Sequence, residues 1–296
     1  IFERNSTSGV WTQTKMLKAS NAGQGLYEDF GNSVSISGSY AIVGAHYEDS
    51  SGSNQTGAAN SGAAYIFERA VDGTWSQTQM LKASNAGETD YFGQSVSISG
   101  SYAIVGANEE DTTAGNSGAA YIFERAVDGT WTEKQMLKAS NVGANDQYGL
   151  SVSISGSYAI VGAVGEASNG TDPLNNSVGG SGAAYIYERN IDGSWSQTQM
   201  LKASNAGKYY QFGISVSISG LYAIVGARWE SSNGTDPLNN SAGDSGAAYI
   251  FERNIDGTWT EIKMLKASNP SASDYFGNSV AISGLYAIVG AHYEDS

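Results

Sequence analysis

The stretch "YFGQSVSISGSYAIVGA" at residues 91–107, followed after a loop by "SGAAYIFERAVDGTWTEKQMLKAS" at residues 117–140, decides the fold. Ser95–Ser99 alternates serine with Val or Ile, the period of two that marks a half-buried strand. A Ser-Gly turn leads into a second apolar run, Tyr102–Ala107, and after the loop Gly118–Arg125 reads as a third strand. Asp128-Gly129 then turns the chain into a fourth, expected over Trp131–Ser140. Asp-Gly between two such runs is among the strongest short-range hairpin signals.

The same four-strand phrase returns along the whole chain. Its tryptophan stands at Trp11, Trp75, Trp131, Trp195 and Trp259, with spacings of 64, 56, 64 and 64 residues. Its aromatic-glycine pair begins at Phe30, Phe92, Tyr148, Phe212 and Phe276. Repeated four-stranded modules of this length predict an all-β protein, a β-propeller of antiparallel four-stranded blades. The 38 glycines fit tight turns between many short strands, since no Gly-X-Y period accompanies them.

The module resembles the FG-GAP repeat, best known from the propeller of integrin α subunits and from bacterial and algal surface proteins. Phe92-Gly93 and Gly106-Ala107 carry the resemblance, with near-identical pairs in the other copies, such as Tyr148-Gly149. It covers essentially the whole chain, with two departures. The family's Asp-x-Asp-x-Asp-Gly calcium loop between the first two strands is absent, because only "SGS" or "SGL" joins them. The family's proline after Gly-Ala is also missing, and that slot holds His46, Asn108, Val164, Arg228 or His292.

First and second strands occur five times; third and fourth strands occur four times complete and once at the N-terminus without "SGAAY". The expectation is one propeller domain over residues 1–296, with repeats at about 30–84, 92–140, 148–204, 212–268 and 276–296. Residues 1–20 would complete the last blade if five blades close into a ring. The alternative is part of a larger propeller, such as a seven-bladed one. The chain opens on Ile1 in mid-motif and is expected to be a mature product or a fragment.

Composition narrows the function. With no cysteine, disulfides, thiolate metal sites and cysteine nucleophiles are excluded. A net charge of −14 is the wrong sign for sequence-independent nucleic-acid binding. No apolar run is long enough to span a membrane as a helix, so direct membrane insertion is not expected. No phosphate loop, placed nucleophile or metal-ligand spacing emerges, so the chain is not expected to be an enzyme; a glycan-processing hydrolase ranks last.

One face of the disc should carry near-identical Ser-Gly and Asp-Gly turns. The other carries the links between blades and second-to-third loops of 16, 10, 18 and 18 residues. Of the 29 acidic residues, 18 fall on that variable face, offset there only by Lys208 and Arg228. Such a charge serves either solubility or a cation or basic partner. A glutamate recurs three places after each Gly-Ala: Glu48, Glu110, Glu166, Glu230 and Glu294. Either it caps a turn and pairs locally, or it joins a ring of carboxylates able to hold Ca²⁺. Glu109, Glu110 and Asp111 are the nearest thing to a calcium cluster.

Variable loops on a rigid scaffold are where binding usually resides. The candidate ligand face therefore comprises Tyr47, Glu48, Glu110, Glu166, Arg228, Trp229, Glu230, Tyr293 and Glu294, with Tyr27, Tyr209 and Tyr210 as further aromatic platforms. Glycosylation sequons occur at Asn5, Asn54, Asn169, Asn175, Asn233 and Asn239. The expected role is an extracellular or cell-surface module that recognises a protein or glycan, with Ca²⁺ as an open possibility. The alternative is a glycosylated building block of an extracellular filament or surface appendage, in which copies assemble with neighbouring subunits.

Overall fold

Serine alternates with Val and Ile in the innermost strand of each blade because that strand has two different neighbours. Val96 and Ile98 pack with Ile42 of the preceding blade. Ser95 Oγ instead donates to the carbonyl of Gly149 in the following blade at 2.8 Å. Ser97 Oγ accepts the N–H of Ile154 there at 3.1 Å. Apolar side chains thus hold one boundary and serine hydroxyls the other.

The computed structural model describes residues 1–21, 28–49, 58–170, 172–233 and 236–295. β1 (Phe2–Arg4) and β2 (Trp11–Gln13) form a two-stranded sheet. The first full blade is β3 (Val34–Ser37), β4 (Tyr40–Ala45), β5 (Ala63–Arg69) and β6 (Trp75–Leu81). The second is β7 (Ser95–Ser99), β8 (Tyr102–Ala107), β9 (Ala119–Arg125) and β10 (Trp131–Leu137). The third is β11 (Tyr148–Ser155), β12 (Tyr158–Ala163), β13 (Ala183–Arg189) and β14 (Trp195–Leu201). The fourth is β15 (Phe212–Ser219), β16 (Tyr222–Ala227), β17 (Ala247–Arg253) and β18 (Trp259–Leu265). β19 (Phe276–Ser283) and β20 (Tyr286–Ala291) form a second two-stranded sheet. Within each sheet the described strands pair antiparallel with their neighbours in sequence, as expected of propeller blades, and single parallel bridges such as Gly118 to Tyr148 join one blade to the next. No helix of the described residues is long and apolar enough to cross a membrane.

The first two strands of the second blade lie where the sequence pattern puts them. Its fourth strand ends at Leu137 rather than Ser140, because Lys138 leaves the sheet to pair with Glu110. The residues 1–20 and 276–296 do not share a blade here: β1–β2 and β19–β20 are separate sheets.

Gly106 shows why the Gly-Ala pair needs glycine. A Cβ there would lie 1.9 Å from the carbonyl oxygen of Gly149, the glycine of the next aromatic-glycine pair. The two motifs that name the repeat are therefore two sides of one backbone-to-backbone contact between blades. The tryptophans seal the outer part of the same boundaries. Trp131 is buried and meets the Tyr40 ring edge-on at 6.1 Å. Gln79 of the preceding blade grips its backbone, accepting the Trp131 N–H at 2.8 Å and donating to its carbonyl at 2.7 Å. Trp75, Trp195 and Trp259 are buried likewise, but Trp11 is exposed. It belongs to the first hairpin, against which no preceding blade packs among the described residues.

Candidate functional site

Each recurring glutamate is the centre of a buried polar cluster. Glu166, from the loop after β12, meets the ammonium of Lys202 at 2.6 Å, and both are almost wholly out of solvent. The same ammonium donates to Ser181 Oγ at 2.7 Å. Asn141, from the link after the preceding blade, donates to the other carboxylate oxygen at 2.9 Å. Asn141 in turn accepts the Tyr185 hydroxyl at 2.7 Å. The set recurs as Glu48, Lys82, Ser61, Asn21 and Tyr65. It recurs again as Glu230 with Lys266 and Asn205, and as Glu110 with Lys138 and Asn85. Glu294 is exposed and accepts from Asn269 at 2.8 Å.

Burial pushes the Lys82, Lys202 and Lys266 ammonium groups below their ordinary value, against the pull of their glutamates. Burial of Glu110 would raise its carboxyl, but hydrogen bonds from Lys138 and Thr112 outweigh it and hold it below the usual range. Four acids of the variable face are thus matched by lysines from the blades. The rim is less negative than its acid count implies. No group of three His, Asp or Glu among the described residues is placed to hold a metal ion, and Glu109, Glu110 and Asp111 do not converge as a calcium site requires. Glu110 turns inward to Lys138, whereas Glu109 accepts from Asn108 at 3.1 Å and Gln147 at 2.8 Å.

A second carboxylate layer precedes the aromatic-glycine pair. Asp90, Asp146 and Asp274 are buried and accept the N–H of Gly87, Gly143 and Ser271 at 2.6, 2.7 and 2.7 Å. Burial, with the Glu166 charge adding to it, pushes the Asp146 carboxyl up to about 6. Tyr210 occupies this position in the fourth blade. It is buried and bonded to Asn240 at 3.0 Å rather than offered to solvent.

What the rim does present is two aromatic groupings at blade boundaries. His46, Tyr47 and Tyr91 lie with ring centroids 4.0, 5.3 and 5.8 Å apart, Tyr91 coming from the next blade. His46 is buried, and burial lowers its imidazole below the ordinary value despite Asp29 at 4.0 Å. Among the described residues, its Nδ1 and the Oδ1 of Asn108 are buried without a hydrogen-bond partner. In the second grouping, the Arg228 guanidinium lies 5.0 Å over the Trp229 ring and donates to Gln211 at 2.8 Å. Tyr275 and Tyr293 meet edge-on at 5.3 Å, with His292 stacked on Tyr293 at 4.4 Å.

The FG-GAP repeat model matches residues 11–67, 75–123, 131–187, 195–251 and 259–296. The chain belongs to the FG-GAP repeat family. A solved protein of Lactobacillus plantarum shares the fold of this FG-GAP chain, with a TM-score of 0.56 at 12% identity. The alignment covers 95% of this chain, and the chain spans 66% of the length of that protein. No curated protein matches.

Of the FG-GAP chain's sequence candidates, Tyr47, Arg228, Trp229 and Tyr293 lie on the rim groupings, and Tyr209 is exposed beside Lys208. Glu48, Glu110, Glu166 and Glu230 lie inside the polar clusters. Tyr91, Tyr275 and Gln147 were missed, because they stand just before the aromatic-glycine pair and read as linker. Their positive φ of 58°, 57° and 53° marks a turn that swings them onto the rim. Asn175 and Asn239 are exposed at the loop tips, and Asn5 is exposed in the first hairpin. Asn169 and Asn233 use their Oδ1 to accept the N–H of Asp172 and Asp236 at 2.9 and 3.0 Å. Asn54 and Tyr27 lie outside the described residues.

Proposed function

We propose that this chain is a non-catalytic recognition module, at the cell surface or outside the cell, that takes a protein or glycan ligand on its variable rim. The observation that carries this reading is the aromatic grouping of His46, Tyr47 and Tyr91, which crosses a blade boundary. Aromatic faces offer large contact area at low entropic cost, and they stack on sugars and anchor proteins alike. The scaffold beneath is rigid, because the three boundaries between complete blades are held by the same apolar contacts and serine hydrogen bonds. Sequons at exposed loop tips suit an extracellular location if the source glycosylates its proteins.

The test is a glycan array together with a panel of extracellular matrix proteins, read with the whole chain and with Tyr91→Ala and Trp229→Ala. A ligand that loses affinity with either variant, at an unchanged melting temperature, supports the reading. Failure to bind any of them, or binding indifferent to both variants, overturns it.

A further inference from the structure

In every complete blade one glutamate carboxylate is shared between a lysine and an asparagine from opposite ends of the blade. In the third, Asn141 stands before β11 and Lys202 stands after β14. Glu166 Oε2 accepts the Lys202 ammonium at 2.6 Å, while Oε1 accepts the Asn141 amide nitrogen at 2.9 Å. The second proton of that nitrogen goes to the Pro173 carbonyl at 3.1 Å. The Tyr185 hydroxyl donates to Asn141 Oδ1 at 2.7 Å. Glu166 and Lys202 are 1% and 7% exposed and Tyr185 is fully buried, so the group lies out of bulk water. These are the parts that aminolysis of an amide requires. They comprise a desolvated amine, a carboxylate touching both the attacking and the leaving nitrogen, and a donor on the oxygen where charge develops.

We propose that Lys202 displaces the amide nitrogen of Asn141, tying the entry of its blade to the exit through an isopeptide bond. Lys82 with Asn21, Lys138 with Asn85 and Lys266 with Asn205 do the same, each pair sharing its own glutamate. Tyr65, Tyr121 and Tyr249 donate to the asparagine oxygens there at 2.9, 2.7 and 2.6 Å.

The step begins when Glu166 takes a proton from the ammonium and leaves a neutral amine. Burial, which holds the Lys202 ammonium below its ordinary value, favours that transfer. Nζ then attacks Cγ, and Oδ1 takes up the electron pair against the Tyr185 hydroxyl. Glu166 returns its proton to Nδ2, the Cγ–Nδ2 bond breaks, and the new secondary nitrogen gives up its extra proton. An ammonium group and a primary amide become a secondary amide and one ammonium ion, so no oxidant, reductant or co-reactant enters. Lys and Asn of the next pair share each "KASN" segment, as Lys82 and Asn85 do, so the bonds run in series along the chain. A chain without cysteine thereby gains covalent staples that restrict its unfolded state. The bonds are independent of what the rim binds.

Intact mass spectrometry of the purified 296-residue chain in denaturant tests this. The chain should be lighter than its sequence by one ammonia for each bond, and digestion should release a branched peptide holding both Asn141 and Lys202. Ring closure of an asparagine on its own backbone also loses ammonia but leaves peptides unbranched. A chain at full sequence mass, or lighter only through unbranched peptides, overturns the proposal. Each branched peptide assigns its own bond, and a blade without one has none. Glu166→Gln should remove the Asn141–Lys202 peptide and keep the other branched peptides, which report that the rest of the chain has folded. Tyr185→Phe keeps the ring and should lower the linked fraction in that blade alone. Persistence of the peptide in Glu166→Gln, or an unchanged fraction in Tyr185→Phe, overturns the roles given to those two groups.

Discussion

The ammonium of Lys202 lies 2.6 Å from the carboxylate of Glu166, and the two close a blade whose strand ends would otherwise leave polar groups buried. The lysine follows the fourth strand, the glutamate follows the second, and Asn141 reaches in from the preceding blade. Charge, loop and neighbouring module are thereby tied at one point.

Removing one partner of that pair strands the other charge in a buried site. Lys202→Met should therefore cost about 3–5 kcal/mol, and Lys202→Met with Glu166→Gln together should cost distinctly less. A double-mutant cycle from denaturant unfolding reads the coupling. Equal losses in the single and double variants would mean that the pair contributes only packing.

Because these carboxylates are already held by lysine, calcium has little to gain from them. Excess Ca²⁺ should leave the melting curve where EDTA leaves it, as followed by differential scanning calorimetry. An upward shift of the midpoint with Ca²⁺ would show a cation site among the other rim oxygens.

Asp146 should make stability depend on pH with an unusual sign. Its carboxyl is raised from the ordinary 3.8 to about 6 in the folded chain, so the folded state holds the proton more tightly than the unfolded state. The stabilisation is fully present below about pH 4 and is lost as pH rises through 6, amounting to on the order of 3 kcal/mol. Asp146→Asn keeps the acceptor for Gly143 and removes the titration. It should flatten the stability profile between pH 4 and 7 and raise stability above pH 7. The neutral Tyr210 in the equivalent slot shows that the fold accepts an uncharged group there.

Gly106→Ala should be severe for so small a change. The added carbon would stand 1.9 Å from the Gly149 carbonyl, and only separation of the two blades relieves that. A loss of about 1–3 kcal/mol or more is expected from overpacking of this kind. Gly115→Ala, where nothing lies within 4 Å, is the control and should be close to neutral in the same melt.

Much of this architecture was legible because the chain states it five times. Strand ends in the second blade could be read from Ser95–Ser99 and Tyr102–Ala107, since alternation and turn residues report local geometry directly. The polar cluster was half legible. The recurring glutamate stands out, yet its partners recur just as regularly as the Lys and Asn of "KASN" at residues 82–85, 138–141 and 202–205. Reading the two periods together would have paired them, about thirty residues apart in sequence. The rim aromatics Tyr91 and Tyr275 were not legible, because a positive φ and a neighbouring blade bring them to the site.

The sequence by itself determined the module, its strand order and the division between a monotonous and a variable face, because these follow from local periodicity and turn chemistry. Only the tertiary structure decided which acids are spent inside. Glu48, Glu110, Glu166 and Glu230 count as surface charge in a composition and as buried ion pairs in the fold. It also decided that Val34 and Ile288 are exposed where their counterparts Val96 and Ile224 are buried. Burial depends on what packs against a residue from another module, and a repeat reads the same whether or not its neighbour is in place.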